Sequence, residues 1–260
     1  MTTLTSTAGP ARLARLTLLH TRYQLLETVR VPIAVIGNLV FPALALAFFV
    51  LPQRAVAADP VAATQAVSQL ALFAVISTCI FTYGVGVAED RAQPFDSYVR
   101  TLPGGPVPRL GGRLLTGGVF SLVSLLPLVA IGALFTSASI SPVRLVAGVV
   151  MVLLGALPFL FGGLAIGYAL TFKAALPVAQ VVLFPMAFLG GLFLPPQMFP
   201  GWLDTLSGFV PTRAARDVLV HVTTGSGATV FDVVMLVAWT VVLAALAVTA
   251  YRRDEGRRFH

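Results

Sequence analysis

The chain has 260 residues, 57% hydrophobic and only 10% charged, with a mean hydropathy of +0.92. A soluble domain is about 25% charged, so these figures exclude a water-soluble globular domain and indicate an integral membrane protein. The net charge of +7 would suggest nucleic acid in a soluble protein; here a bias of basic residues toward the cytoplasmic loops accounts for it, and no nucleic-acid partner is expected.

Residues 11–30, ARLARLTLLHTRYQLLETVR, repeat Leu13, Leu16, Leu19, Tyr23 and Leu26 at three- and four-residue spacing, with Arg12, Arg15 and Arg22 off that stripe. This pattern predicts an amphipathic helix, too charged to span, lying in the cytoplasmic interface with its basic face toward anionic headgroups. Packing against other protein is the alternative. No short apolar segment with a small-residue cleavage site accompanies it, so no cleaved signal peptide is expected.

Six apolar runs follow, each near the roughly 20 residues needed to cross hydrocarbon. They are Val31–Leu51, Val67–Val87, Leu114–Phe135, Leu145–Leu170, Ala174–Leu194 and Val233–Tyr251. Pro42, Pro127, Pro158, Pro177 and Pro185 fall within them as helix breakers, and Gly163 and Gly167 form a GxxxG spacing that suits close helix packing. The whole is expected to be one all-α domain over 1–260, with six transmembrane helices, the interfacial helix, and two short helices in the outer loop.

Between the second and third runs lies a charged island, residues 88–113, with Glu89, Asp90, Arg91, Asp96, Arg100, Arg109 and Arg113. The N-terminal segment, this island, the turn at Lys173 and the C-terminal tail hold thirteen of the basic residues; the opposite loops hold four, Arg54, Arg144, Arg213 and Arg216. That asymmetry predicts cytoplasmic termini and a cytoplasmic island. The outer loop Pro195–Asp232 carries two short amphipathic pieces, begun by Pro200-Gly201 and Pro211-Thr212, with Trp202 suited to the membrane interface. They are read either as surface helices or as helices dipping back into the outer leaflet.

The chemistry-bearing motifs are few. There is no GxxxxGK[ST] stretch, no HExxH and no Cys/His cluster; His20, His221 and His260 sit on separate segments. Neither a P-loop nucleotide site, a metal site nor catalysis by this chain is expected. Cys79 is the one cysteine and has no partner in the chain for a disulfide; it reads as a small packing residue. The six runs carry no ionisable residue apart from Asp232 at the edge of the last, which disfavours an ion-coupled carrier.

Two segments resemble the membrane subunit of ABC-2-type exporters. One is Asp96, Val99-Arg100-Thr101-Leu102-Pro103 and then Gly112-Arg113-Leu114-Leu115. The other is Phe193-Leu194-Pro195, Pro200-Gly201-Trp202-Leu203 and Pro211-Thr212. The order of parts matches along nearly the whole chain. Departures are Gln93-Pro94 where the family has a glycine, the extra Gly104-Gly105-Pro106, and Arg213 in place of a tyrosine. The resemblance implies a bacterial plasma-membrane permease that pairs with a second permease subunit and docks separate ATPase subunits, which hold ATP and magnesium. The contact would be made by Glu89, Asp90, Arg91, Asp96, Arg100, Leu102, Pro103, Arg109 and Arg113, beside the N-terminal helix. By the same resemblance the cargo is a drug, a lipid or a lipid-linked natural product, as in antibiotic-resistance exporters. Phe41, Phe81, Tyr83, Phe184 and Phe188 are the candidate cargo-path residues. A membrane scaffold that exports nothing is the rival reading.

Overall fold

The computed structural model describes residues 10–30, 40–94 and 106–257. The described residues are overwhelmingly helical. Helix α1 is Pro10–Val29, opened by a proline whose missing N–H costs nothing at that position. Helix α2, Val40–Val50, is short and apolar and ends in a π-helical turn, Leu46–Val50, before Pro52. The first part of the predicted span Val31–Leu51 lies outside the described residues.

A short helix α3, Arg54–Ala58, leads to α4, Pro60–Ala92. The α4 start is set by Asp59, whose carboxylate accepts from the Ala62 N–H at 2.7 Å, and by Pro60 in the first turn. Within α4, Ile80–Val85 forms a π-helical turn. Helix α5 is Pro106–Phe135 and runs through Pro127. Ser141 and Pro142 then start α6, Pro142–Gly155. Helix α7, Leu157–Ala169, continues the same span after a break ahead of Pro158. Helix α8, Phe172–Leu189, carries both Pro177 and Pro185. Of the prolines predicted as breakers, Pro127, Pro177 and Pro185 are absorbed inside α5 and α8, Pro42 lies within α2, and Pro158 follows the break between α6 and α7.

After α8 the chain turns at Gly191, whose φ of +72° excludes other residues without strain. Helix α9, Gly201–Ser207, and α10, Pro211–Thr224, occupy the predicted outer loop. Gly225, at φ +89°, ends α10 in the left-handed conformation, donating to the His221 carbonyl at 2.7 Å. The last helix is α11, Val230–Arg257. Asp232, the acid at the edge of the sixth predicted run, accepts from the Thr229 N–H and hydroxyl at 2.7 Å each and so fixes the start of α11.

Among the described residues, five helices are long and apolar enough to cross a membrane: Pro60–Ala92, Leu110–Phe135, Pro142–Ala169, Phe172–Leu189 and Val230–Glu255. With Val40–Val50 as a shorter apolar helix, the molecule is an all-α membrane protein. Helix α4 is the axis, 72% buried over its most apolar stretch, whereas α11 is 11% buried and lies at the rim. Around α4 pack α5, α7 and α10; α11 lies along α7, and α1 lies along the start of α5.

Close backbone approach holds the axis. A Cβ on Gly163 would stand 2.8 Å from the Cys79 carbonyl, and one on Gly167 would stand 2.7 Å from that of Tyr83. The two glycines let α7 sit directly against the π turn of α4, the close packing their spacing predicts.

Candidate functional site: the basic end, the outer helices and the aromatic face

Four segments meet at one end of the bundle: the C-terminal ends of α4 and α11, the start of α5, and α1. Arg91, on the last turn of α4, donates to the Asp254 carboxylate of α11 from Nε at 3.1 Å and Nη2 at 2.5 Å. Its Nη1 donates to the carbonyls of Gly167 and Leu170 at 2.5 and 3.0 Å, which are free backbone acceptors at the end of α7. The guanidinium carbon also lies 5.9 Å from the Tyr168 ring centre, and Tyr168 meets Tyr251 edge-on at 5.1 Å. One side chain therefore ties α4, α7 and α11 together.

Arg113 of α5 pairs with Asp90 of α4 and donates to the Gly86 carbonyl at 3.3 Å. Above it, the buried Tyr83 donates to the Leu114 carbonyl at 3.1 Å, its ring lying over Gly117. Thus Arg91 and Arg113, expected to face a partner, are turned inward, with 16% and 14% of their side chains exposed. Their charges are spent on holding the bundle together. Glu89 is exposed at the same end. Asp96, Arg100, Leu102 and Pro103 lie outside the described residues; Arg109 lies in α5 but its side chain is outside them.

Helix α1 packs through small and polar residues. Thr21 is buried and bonds to the Gly112 carbonyl at 3.4 Å; Thr116 bonds to Gln24 at 3.2 Å. A Cβ on Gly112 would stand 2.6 Å from that of His20. The helix is docked on protein along this face, while Arg12, Arg15, Arg22 and Tyr23 are on the exposed side with Leu18 and Leu26. Of the two readings of α1, packing against protein holds for the face on α5; the opposite face is exposed.

Helices α9 and α10 are built around a buried ion network. Arg216 of α10 is 6% exposed; the Gln69 side-chain oxygen of α4 accepts from its Nε at 3.0 Å and its Nη2 at 2.7 Å. Arg216 also pairs with Asp217. Arg213 pairs with Asp217 at 2.6 Å and with Asp204 of α9 at 3.0 Å. Burial pulls the Arg216 guanidinium below its ordinary pKa, opposed by Asp217. For Arg213 burial acts the same way, but Asp217 and Asp204 together outweigh it and raise the pKa.

The residue facing a position on α10 shows how deep it sits. A Cβ on Gly155, at the far end of α6, would touch Ala215 at 3.2 Å and Leu72 at 3.5 Å. Leu72 is about 18 Å along α4 from Pro60 at 1.5 Å per residue. The first half of α10 therefore lies level with the interior of the spans, and its later half rises past Gly148 to Thr223. Pro211 is buried at its start, whereas Pro200 and Trp202 are outside at α9, Trp202 being 69% exposed.

The aromatic candidates separate into two groups. Phe73 of α4 is the hub of one: Phe41 lies 6.0 Å from it, Phe184 6.5 Å and Phe193 4.8 Å, between ring centres. Phe188 and Phe49 join through Phe193 at 5.0 and 6.3 Å. Phe41, Phe184 and Phe188 thus share one face between α2 and α8. Phe81 and Tyr83 do not belong to it. Phe81 packs on the core and Tyr83 is 2% exposed, so Tyr83 offers no surface to a cargo.

Residues 15–224 match the model of the ABC-2 type transporter family. The chain belongs to that family. It is also similar to a Bacillus subtilis (strain 168) protein named "Putative transport permease YvfS", 22% identical over 187 residues, covering 72% of this chain and 76% of that one.

In this ABC-2 protein, sequence reading did not find the buried pairings of Asp254, Gln69 and Arg216 or the place of Phe73 and Phe193 in the aromatic face. Asp254 sat in a tail read only as basic, and Gln69 falls in the predicted run Val67–Val87 with no charge to mark it. A signal for Arg216 was present: an arginine beside an aspartate, directly ahead of the run Val218-Leu219-Val220, is costly to bury unless paired.

Proposed function

We propose that this chain is the membrane-spanning subunit of an ATP-driven exporter that moves a hydrophobic or amphipathic cargo outward. The observation that carries the reading is the basic end of the bundle. There Arg91, Arg113 and Thr21 join α1, α4, α5, α7 and α11 into one block. A push on that block moves α4, the buried axis of the molecule, and α4 carries the aromatic hub Phe73 and the Gln69 link to α10.

The force comes from a separate ATPase subunit that holds ATP and magnesium, in two copies for a pair of permease subunits. The island supplies the contact, through Asp96 to Pro103, with Glu89 and the free side of α1 beside it. Thirteen basic residues against four support cytoplasmic termini in a bacterial plasma membrane. The face of Phe41, Phe49, Phe184 and Phe188 supports an apolar cargo such as a drug, a lipid or a lipid-linked natural product, because aromatic rings offer large contact area without charge.

The test is copurification of the tagged chain from its native host, followed by ATP hydrolysis in reconstituted vesicles. The expected result is a stoichiometric ATPase whose activity responds to the permease. Arg100→Glu combined with Leu102→Asp should abolish that response while the permease still folds. If no ATPase accompanies the chain, or if the double substitution leaves coupling and export intact, the reading fails.

A further inference from the structure

The chain leaves a gap between α5 and α6. These consecutive helices scarcely touch; residues 136–141 join them, and α4 and α10 lie behind. The gap is a cavity of about 110 Å³. Ser68 and Ala71 of α4 and Leu219 and Thr223 of α10 line it, with Val129 of α5 and Val149 of α6.

Its hydroxyl groups are already used. Thr64 bonds to the Pro60 carbonyl at 2.7 Å, Ser68 to that of Thr64 at 2.7 Å, and Thr223 to that of Leu219 at 3.0 Å. A bound water needs two to four polar partners, so this lining favours an apolar occupant. The connecting strap is fastened to α3 and α4. Ser137 N–H donates to the Ala57 carbonyl at 2.8 Å, and Ser139 N–H donates to the Thr64 hydroxyl at 3.1 Å. That leaves the sideways approach between α5 and α6, where Val129 and Leu145 are 38% and 40% exposed. In a membrane this mouth meets hydrocarbon.

A cation stands above the groove. Arg144 is one turn from Gly148 on the same face of α6, at the end nearest the strap. It is exposed, and among the described residues no carboxylate forms an ion pair with it. A Cβ on Gly225 would stand 3.5 Å from its Nη2, so the guanidinium leans over the end of α10, the helix that floors the groove. A purely apolar guest would leave this charge unused, whereas a phospholipid uses both features.

We propose that the groove between α5 and α6 holds an acyl chain of one membrane phospholipid, with the lipid phosphate on Arg144. The enclosed volume is below the roughly 150 Å³ that admits benzene in an engineered protein cavity, so a few methylenes are enclosed and the rest of the chain lies in the mouth. The lipid fills a gap between helices that the chain does not close by itself, independently of what is exported.

The test uses the full-length protein in nanodiscs containing a trace of phosphatidylglycerol with a diazirine in the headgroup-proximal half of one chain, the part that lies level with Val149 when the phosphate is on Arg144. A parallel sample contains diacylglycerol with the same reactive tail. After irradiation, adducts are mapped by mass spectrometry. Labelling at Val129, Ala133 and Val149 should exceed that at Val241 and Val248, exposed residues of α11. The phospholipid should label the groove about fivefold more than the diacylglycerol, the value of one basic side chain near a headgroup. Arg144→Gln should remove that preference. Val149→Trp and Ala71→Leu, two independent fillings, should each suppress groove labelling in samples that retain the parent melting temperature. Uniform labelling of α5, α6 and α11, or labelling unchanged by a well-folded filling variant, overturns the proposal. Equal groove labelling by the two lipids overturns it as well, because it assigns the groove to any apolar molecule.

Discussion

Arg91 on α4 and Asp254 on α11, far apart in sequence, form a nearly buried ion pair, with 16% and 4% of their side chains exposed. The same guanidinium caps the end of α7 through two carbonyls. Removing one member of a buried pair weakens the compensation of the other's charge, at a cost of up to about 3 kcal/mol, whereas replacing both with apolar groups recovers much of that loss. Arg91→Met should therefore lower the melting temperature in detergent clearly, and so should Asp254→Leu. The double variant should be more stable than the sum of the two singles implies. Strict additivity would show that the two residues do not act together.

The glycine contacts between α7 and α4 make a sharper comparison, because nearby glycines differ in what surrounds them. Gly167→Ala drives a methyl into the Tyr83 carbonyl and the Val87 side chain, each at 2.7 Å. Overpacking of this kind costs about 1–3 kcal/mol. Gly162, one residue before Gly163, has only Leu243 atoms near it, at 3.7 Å or beyond, and Gly118 has nothing within 4 Å. Alanine at either of those should be neutral or stabilise by about 0.5 kcal/mol through reduced backbone entropy of the unfolded chain. Thermal denaturation of the three single variants distinguishes a packing requirement at Gly167 from a general intolerance of alanine.

How much of this could be read from the residues depends on the kind of signal. Hydropathy marks the spans well, because crossing hydrocarbon demands a long apolar run; α4, α5 and α11 each overlap a predicted span closely. The Gly163–Gly167 spacing was legible for the same reason, since only small residues let backbones meet. The partner of Arg91 was not legible. An arginine at a span end looks alike whether it points to solvent or to an aspartate more than a hundred residues away, and only the fold brings α11 alongside. The burial of α10 was equally hidden, because Arg213, Arg216 and Asp217 make the segment look like a surface helix until their mutual pairing is seen. Asp96, Arg100, Leu102 and Pro103 lie outside the described residues, so the docking role proposed for them rests on the sequence resemblance.

The link between Gln69 and Arg216 joins the axis helix to the buried outer helix, and it can be tested by a thermodynamic cycle. Gln69→Leu removes two acceptor contacts to a guanidinium that stays buried, a loss of about 1–3 kcal/mol. Arg216→Met frees Asp217 from one of its partners but leaves it Arg213 at 2.6 Å. If the pair is a true contact, the two substitutions should show an interaction energy of about 1 kcal/mol or more, measured by denaturation of the singles and the double. Values near zero would mean that Gln69 merely lies close to Arg216.

Docking of α1 on α5 depends on the absence of a side chain at Gly112, where an added Cβ would stand 2.6 Å from that of His20 and 3.2 Å from the Thr21 backbone nitrogen. Gly112→Leu cannot be relieved by turning a flexible side chain, because backbone lies directly opposite, so α1 must lift. The rest of α5 is held separately by the Arg113–Asp90 pair and by Tyr83 on the Leu114 carbonyl, and the bundle should survive. Arg12, Arg15, Arg22 and Arg30 then become better trypsin sites, because cleavage needs a locally opened chain. Each 1.4 kcal/mol of lost docking free energy should raise the opened population, and with it the cleavage rate, about tenfold. Cleavage confined to α1, with the melting of the remaining bundle unchanged, is the expected pattern. A parental cleavage rate would show that the Thr21–Gly112 contact does not hold α1 in place.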